Sequence, residues 1–293
     1  MTNYIDKGGN YTMALADTLS DRMKEYESNT QTKLIKKLPV IIRLDGRSFS
    51  KYTKGFTKPF DIELSYILQD VALELRKEIA NAKFIYSQSD EISILLTDWD
   101  KSKLNEGGRI DTWYDYRIQK IVSVASAIAT AKFNEYVYKL AEKYEELAED
   151  KLYVIDNRIV GTDNVEYYKE RAKLLKRKLF KATFDSRVFN LPTDEVVNYF
   201  IYRQQDALRN SISSLARKYY STKQLVGVNN PTKIQMLETD YGVVFDRDIT
   251  QLQKLGFTVI TNLKAKENNK EKFEIDTNIP IFKDNRDYIE RYL

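Results

Sequence analysis

The chain has 293 residues, 47 basic against 43 acidic, with no cysteine and no histidine. This composition excludes disulfides, thiol nucleophiles, Ser-His-Asp triads and zinc held by Cys or His. Carboxylate, hydroxyl, amine and guanidinium chemistry remain, so a bound metal would be a hard one such as Mg, Mn or Ca, and the formal charge of +4 permits nucleic-acid binding without demanding it.

Leu19, Met23 and Tyr26 recur at helical spacing and predict a short amphipathic helix. No signal-peptide core is present in Met1–Ser28, and no segment approaches the ~20 apolar residues of a membrane span, so a soluble cytoplasmic protein is expected. Val40–Leu44 reads as a buried strand. Asp61 is placed to cap a helix in which Leu64, Ile67, Leu68, Val71, Leu75 and Ile79 follow the 3.6 period. Lys83–Ser87 reads as a second strand. Ile92, Ile94 and Leu96 alternate in a third, with a tight turn between the two. Trp113 to about Leu147 predicts a long helix, and Ala182–Leu191 a fourth strand. The order is β-α-β-β-α-β, an α+β ferredoxin-like arrangement.

The dense Lys, Glu and Tyr of about 134–181 read as charged helices projecting from the domain. They form either a solvated arm or a basic face for RNA built from Lys169, Arg171, Lys173, Lys176, Arg177 and Lys178. Pro192–Glu195 opens a further helix that runs to about Lys218. Residues 225–293 look mixed, with a helix ending at Gly256 and strands near Phe257–Thr261 and Phe273–Ile275. The expected organisation is a catalytic domain over 1–192 containing the charged insertion, with an α+β extension over 193–293 packed on it.

This topology makes the first and third strands antiparallel neighbours, so Asp45 after the first meets Asp90 and Glu91 before the third. Carboxylates gathered at one sheet end repel unless a cation neutralises them. Mg suits such a site because one or two protein carboxylates suffice, and the Gly46 carbonyl can add a ligand. Asp-Gly after a strand and Ser-Asp-Glu in a hairpin are also ordinary turns. Two ions would suit phosphoryl transfer. Arg47, Lys51, Lys54, Lys58, Arg117 and Lys120, with the loop amides of Gly46–Ser50, are candidate triphosphate donors, or plain surface residues.

Ordered motifs sharpen this. "RLDGRSF" at 43–49, "KPFD" at 58–61, "YSQSDEISIL" at 86–95, "RIQKIVSVAS" at 117–126, "FDSRVFNLP" at 184–192 and "YRQQDALRNSI" at 202–212 resemble the motifs of the tRNA-histidine guanylyltransferase family and its guanylyltransferase-like branch. Phe60 stands where the family has Asn, and Ser87 where it has Gly. The resemblance implies a polymerase-like palm with two Mg ions on Asp45, Asp90 and the Gly46 carbonyl, assisted by Glu91. It implies nucleotide contacts from Arg47, Ser48, Phe49, Ser50 and Ser89, with Lys58 and Asp61 near the first nucleotide, and triphosphate held by Arg117, Lys120 and Lys233. The implied substrates are tRNA and nucleoside triphosphates. ATP or GTP activates an RNA 5′-monophosphate, which a nucleotide 3′-hydroxyl then attacks. A homotetramer is implied too. The family's His-Ile-Asn-Asn run is replaced by Leu208-Arg209-Asn210-Ser211, a pattern similar to the branch linked to templated repair of tRNA 5′ ends. Arg209, with Asn210, either contacts RNA phosphate or forms a salt bridge within its helix. The rival readings are a palm-type nucleotide cyclase, whose hairpin glycine pair is missing here, and a non-catalytic RNA-binding module.

Overall fold

The apolar run at 40–42 is fully buried in the first palm strand, which requires a layer on each face of the sheet. The computed structural model describes residues 4–5, 11–12, 18–99, 112–149, 153–155, 158–160, 164–267 and 270–293. Its main sheet comprises β1 (Val40–Gly46), β2 (Ala82–Gln88), β3 (Glu91–Leu96), β4 (Phe184–Asn190), β5 (Phe257–Glu267) and β6 (Lys270–Asp276). Every pairing is antiparallel, in the spatial order β6-β5-β2-β3-β1-β4. The four strands β2-β3-β1-β4 have the order that β-α-β-β-α-β connectivity predicts, and the β5–β6 hairpin extends the sheet beyond β2.

The helices used below are α1 (Leu19–Ser28), α2 (Ile62–Glu78), α3 (Ile118–Glu149), α4 (Val165–Lys178), α5 (Val196–Tyr219), α6 (Asn230–Tyr241) and α7 (Gln251–Leu255). Alternate strand residues point to opposite faces. Ile42, Leu44, Ile92 and Ile94 pack with Leu68, Val71 and Leu75 of α2 and Ile121, Ala125 and Phe133 of α3. Ile41, Phe84, Tyr86 and Leu95 pack with Val196, Val197 and Phe200 of α5. The two layers bring α2 and α5 to opposite sides of the sheet end that carries Asp45.

Two expectations change. Helix α1 forms, but Leu19, Met23 and Tyr26 are all exposed, so its apolar stripe covers nothing among the described residues. The charged insertion is not a projecting arm at its root. Helix α4 folds back along α3, and Val137, Ala141, Tyr144 and Leu147 join Ala172 and Leu175 in the same core as the palm. Helical spacing of these apolar residues among the charges buries one face of each helix.

Candidate active site

The strand register places Asp45 opposite Glu91 on one side and Asp185 on the other. Asp90 occupies the turn between β2 and β3, and its carbonyl accepts the Gly46 amide at 3.1 Å. Two loops therefore meet at this sheet end, and each holds a serine in the left-handed region, Ser48 at φ 55° and Ser89 at φ 50°. Such backbone is sparsely populated for non-glycine residues and concentrates at functional sites. The Ser89 hydroxyl donates to Asp90 Oδ1 at 3.1 Å. Burial, joined by the neighbouring charges of Asp45 and Glu91, pushes the Asp90 carboxyl above the usual carboxylate range despite hydrogen bonds from its own amide and from Ser89. Gly46 permits the close approach here: a Cβ at this position would lie 2.3 Å from the Phe49 ring.

Glu91 has a different environment. Its carboxylate accepts Arg203 Nε at 2.6 Å and Arg203 Nη2 at 2.5 Å, a two-pronged pairing in which both side chains are 6% exposed. Arg43 adds a third contact at 2.7 Å and also approaches Asp45 at 3.6 Å. Burial works against the Arg203 charge, and the bonded Glu91 carboxylate outweighs it, leaving the guanidinium above its ordinary value. Among the described residues no group of three or more acids is arranged to hold a metal ion. Two guanidiniums occupy the oxygens of Glu91, the residue expected to assist Asp45 and Asp90. Arg43 and Arg203 were missed in the sequence. Arg43 lies two residues before Asp45 and so on its face of the strand; nothing local marks Arg203.

Beside Asp90 a cavity of about 600 Å³ opens, lined by Gly46, Ser48–Ser50, Phe56, Lys58–Asp61, Ser89, Asn210, Ser211, Arg217, Lys254 and Phe257. Its polar wall contains Lys58, whose Nζ donates to Thr53 Oγ1 at 3.1 Å, and Ser211, whose buried hydroxyl has no partner among the described residues. Gly256 brings the last wall close: it sits at φ 84°, where a Cβ would lie 2.1 Å from the Ser87 carbonyl oxygen. Arg217 and Lys254 were not foreseen, because only tertiary packing brings α5 and α7 to this loop.

The remaining candidates separate into three groups. Arg47, Ser48, Ser50, Ser89 and Asn210 are exposed at this end of the sheet, while Phe49 is buried beneath the loop. Asp61 lines the cavity but is committed: it caps α2 through Leu64 N at 3.2 Å and receives Arg171 Nη2 on both oxygens at 2.8 Å. Arg171 also donates to Glu63 at 2.7 Å and is 7% exposed, so it is a buried anchor and not part of an RNA-facing surface. Arg117 and Lys120 lie at the opposite end of the sheet, where Lys33 bridges to Arg117 and Val40 pairs with Leu96. Five strand steps, about 16 Å, separate that end from Asp45, so within one chain they do not meet the cavity. Lys233 lies on α6 and donates to Ser213 and Asn230 at 3.2 Å, outside the cavity wall. Arg209 forms the salt bridge within its helix, to Asp206 at 3.0 Å. Lys173 is exposed, Lys176 pairs with Glu145, and Lys178 lies over the rings of Tyr52 and Phe56 at 5.6 and 6.0 Å.

A palm-like α+β sheet with facing carboxylates beside a cation-lined cavity is a nucleotidyltransferase arrangement. The model of the Thg1 family, tRNAHis guanylyltransferase, matches residues 20–192, and the chain belongs to that family. A bacterial Thg1-like protein solved in complex with ATP is 36% identical, with TM-score 0.72, over 94% of this chain and 98% of that one. A bacterial Thg1-like protein solved in complex with GTP is 33% identical, with TM-score 0.64, over 94% of this chain. Among curated relatives, an uncharacterized protein of Acanthamoeba polyphaga mimivirus is 23% identical over 87% of this chain and 80% of its own length. A probable tRNA(His) guanylyltransferase of Dictyostelium discoideum is 25% identical over 81% of this chain and 80% of its own length. The chain is a tRNA guanylyltransferase-like nucleotidyltransferase. Among the described residues no helix is long and apolar enough to cross a membrane.

Proposed function

We propose that this enzyme adds nucleotides in the 3′-to-5′ direction to the 5′ end of a tRNA, as 5′-end repair or G addition. The observation that carries the reading is Asp90 on the wall of a cavity with room for a nucleotide, with Asp45, next to the cavity-lining Gly46, close enough for its charge to act on Asp90. The donor set fits Mg: burial, joined by the neighbouring charges of Asp45 and Glu91, raises the cost of ionising Asp90, and Glu91 itself is occupied by arginines. Asp45, Asp90 and the Gly46 carbonyl would hold two ions. When bound, these supply charge neutralisation for an attacking hydroxyl and a departing phosphate group. Ligands reported with the bacterial relatives, ATP and GTP, suggest the activating and added nucleotides.

In this reading the 5′-phosphate oxygen of the RNA first displaces pyrophosphate from ATP or GTP. The 3′-hydroxyl of the incoming nucleotide then bonds to that RNA phosphorus and displaces AMP or GMP, its proton passing to solvent. The chain's own residues orient the parts. Lys58 and Arg217 offer cationic donors along the cavity wall, where Lys254 is paired with Asp246, while Ser48–Ser50, Ser89 and Ser211 offer hydroxyls and loop amides. Phe56 and Phe257 supply apolar surface for a base. Glu91, held by Arg43 and Arg203, fixes the turn that presents Asp90. Assembly as a homotetramer and a cytoplasmic location belong to the same reading.

The test combines a 5′-truncated tRNA, Mg, ATP and all four nucleoside triphosphates. Extension of the 5′ end, lost in Asp45→Asn and Asp90→Asn, supports the proposal. Extension unchanged in Asp45→Asn overturns the carboxylate assignment. Cyclic dinucleotide formed from GTP alone would instead make the chain a cyclase.

A further inference from the structure

The function proposed above leaves one surface unused, the turn that links α4 to β4. Phe180 sits in this turn at φ 57°, a left-handed conformation that a bulky residue rarely adopts. Its side chain is 72% exposed. The ring is not disordered over open surface but stacks on Tyr138 of α3, itself 41% exposed, with centroids 6.4 Å apart and planes 26° from parallel. An aromatic ring turned outward by strained backbone forfeits most of the burial it would gain in a core.

The charges around it point to the occupant. Lys181 follows Phe180 directly, and Arg177 and Lys178 precede it across Leu179. Lys178 is held below its ordinary value first by burial and then by repulsion from Lys181, Arg177 and Lys54. Among the described residues, none of Lys54, Lys178 and Lys181 has a carboxylate partner, while the acids of this region are engaged elsewhere: Glu142 accepts the Tyr138 hydroxyl and Glu145 pairs with Lys176. Lys54 belongs to the loop whose start and end line the cavity, and the Arg47 amide of that loop bonds to the Thr183 carbonyl just after the turn. An outward aromatic stack beside unneutralised cations, attached to the wall of a nucleotide cavity, matches what a single-stranded nucleic acid requires: a π-face for a base and positive charge for its backbone.

We infer that Phe180 and Tyr138 form a stacking platform for an unpaired nucleotide of the RNA substrate, whose phosphates run over Lys54, Arg177, Lys178 and Lys181. The inference rests on the RNA-end reading of the cavity, and its test does not depend on catalysis. Two RNA hairpins are compared, one blunt and one carrying unpaired nucleotides with 2-aminopurine next to the stem end. Binding is read by anisotropy and stacking by 2-aminopurine quenching. Phe180→Ala is expected to weaken the overhang hairpin at least about 5-fold and abolish quenching, with the blunt hairpin changed less than about 2-fold. Phe180→Trp restores both signals. Lys181→Gln lowers the salt dependence of binding to the overhang hairpin.

Equal loss on both hairpins, or no loss on either, overturns the inference. A change of oligomeric state in Phe180→Ala by sedimentation, with RNA binding intact, would give the platform to a second copy of the chain and also overturn it. Loss of nucleotide transfer in Asp45→Asn with overhang binding intact tests the catalytic reading alone, so the two failures are distinguishable.

Discussion

Substituting Glu91 by Gln separates a structural carboxylate from a metal-binding one. In the wild type, Glu91 neutralises Arg203, whose side chain is 6% exposed, and Arg43, whose side chain is 22% exposed. Removing one partner of a buried pair costs about 3–5 kcal/mol, because the remaining charge stays uncompensated. Two features move the estimate to the lower end. Asp206 lies 3.4 Å from Arg203 and takes up part of the charge, and Arg43 is partly solvated. About 3 kcal/mol is expected, a fall in Tm of roughly 6 °C for a chain of this size. Asp90→Asn should do the opposite, leaving Tm unchanged or raised, since it removes a buried carboxylate flanked by like charges, and Asp45→Asn, at a side chain 35% exposed, should move Tm less than Glu91→Gln does. Thermal melts and Mg titrations of activity on the three variants make the comparison. Extension should be lost in both aspartate variants, while Glu91→Gln retains it with a Mg midpoint within about 3-fold of wild type. A Glu91→Gln protein with wild-type Tm and a weakened Mg response would refute the reasoning and make Glu91 a ligand.

Arg171→Ala should also destabilise by about 3–5 kcal/mol, since Asp61 beside it is 4% exposed; nucleotide KM should rise as the Lys58–Asp61 wall loosens, as melting and steady-state kinetics would read. Arg171→Lys should recover only part of both losses, because an ammonium cannot bridge Asp61 and Glu63 as a fork does. Gly256→Ala places a Cβ against the Ser87 carbonyl in a conformation open only to glycine, so a loss of about 2–6 kcal/mol is expected in denaturant unfolding. Asp115, bonded to Lys33 and Lys36, has its carboxyl lowered to about 2. Its folded value lies below its unfolded one, so its contribution is present above about pH 4 and is lost as pH falls through about 2. Asp115→Asn should flatten the stability profile in that window, and NMR titration of the carboxyl would place the midpoint.

The strands, the helices and the meeting of Asp45 with the β2–β3 turn were legible because each rests on a local pattern. Val40–Ile42 is apolar where a strand is covered on both faces, α2 follows the 3.6 period after an Asp61 cap that forms, and the connectivity makes β1 and β3 neighbours. Antiparallel register then leaves Asp45 no partner but the residues at the start of β3 and β4. Absence of histidine and cysteine narrows the chemistry by composition alone.

What each charge does was decided only by tertiary structure. Asp90 and Glu91 are adjacent in sequence, yet one borders the cavity and the other is enclosed by arginines, because successive residues at a strand's edge face different surroundings. Arg171 and Phe180 lie nine residues apart in a run that reads as uniformly solvated, yet one is buried on the palm and the other exposed on a neighbouring ring. Arg117 and Lys120 resemble triphosphate ligands in sequence, but α3 starts at the far end of the sheet. Charge carries no period by which its burial can be read from the chain. Whether a lysine or a carboxylate is a ligand, an anchor or a surface residue depends on which oppositely charged group the fold brings within hydrogen-bond reach.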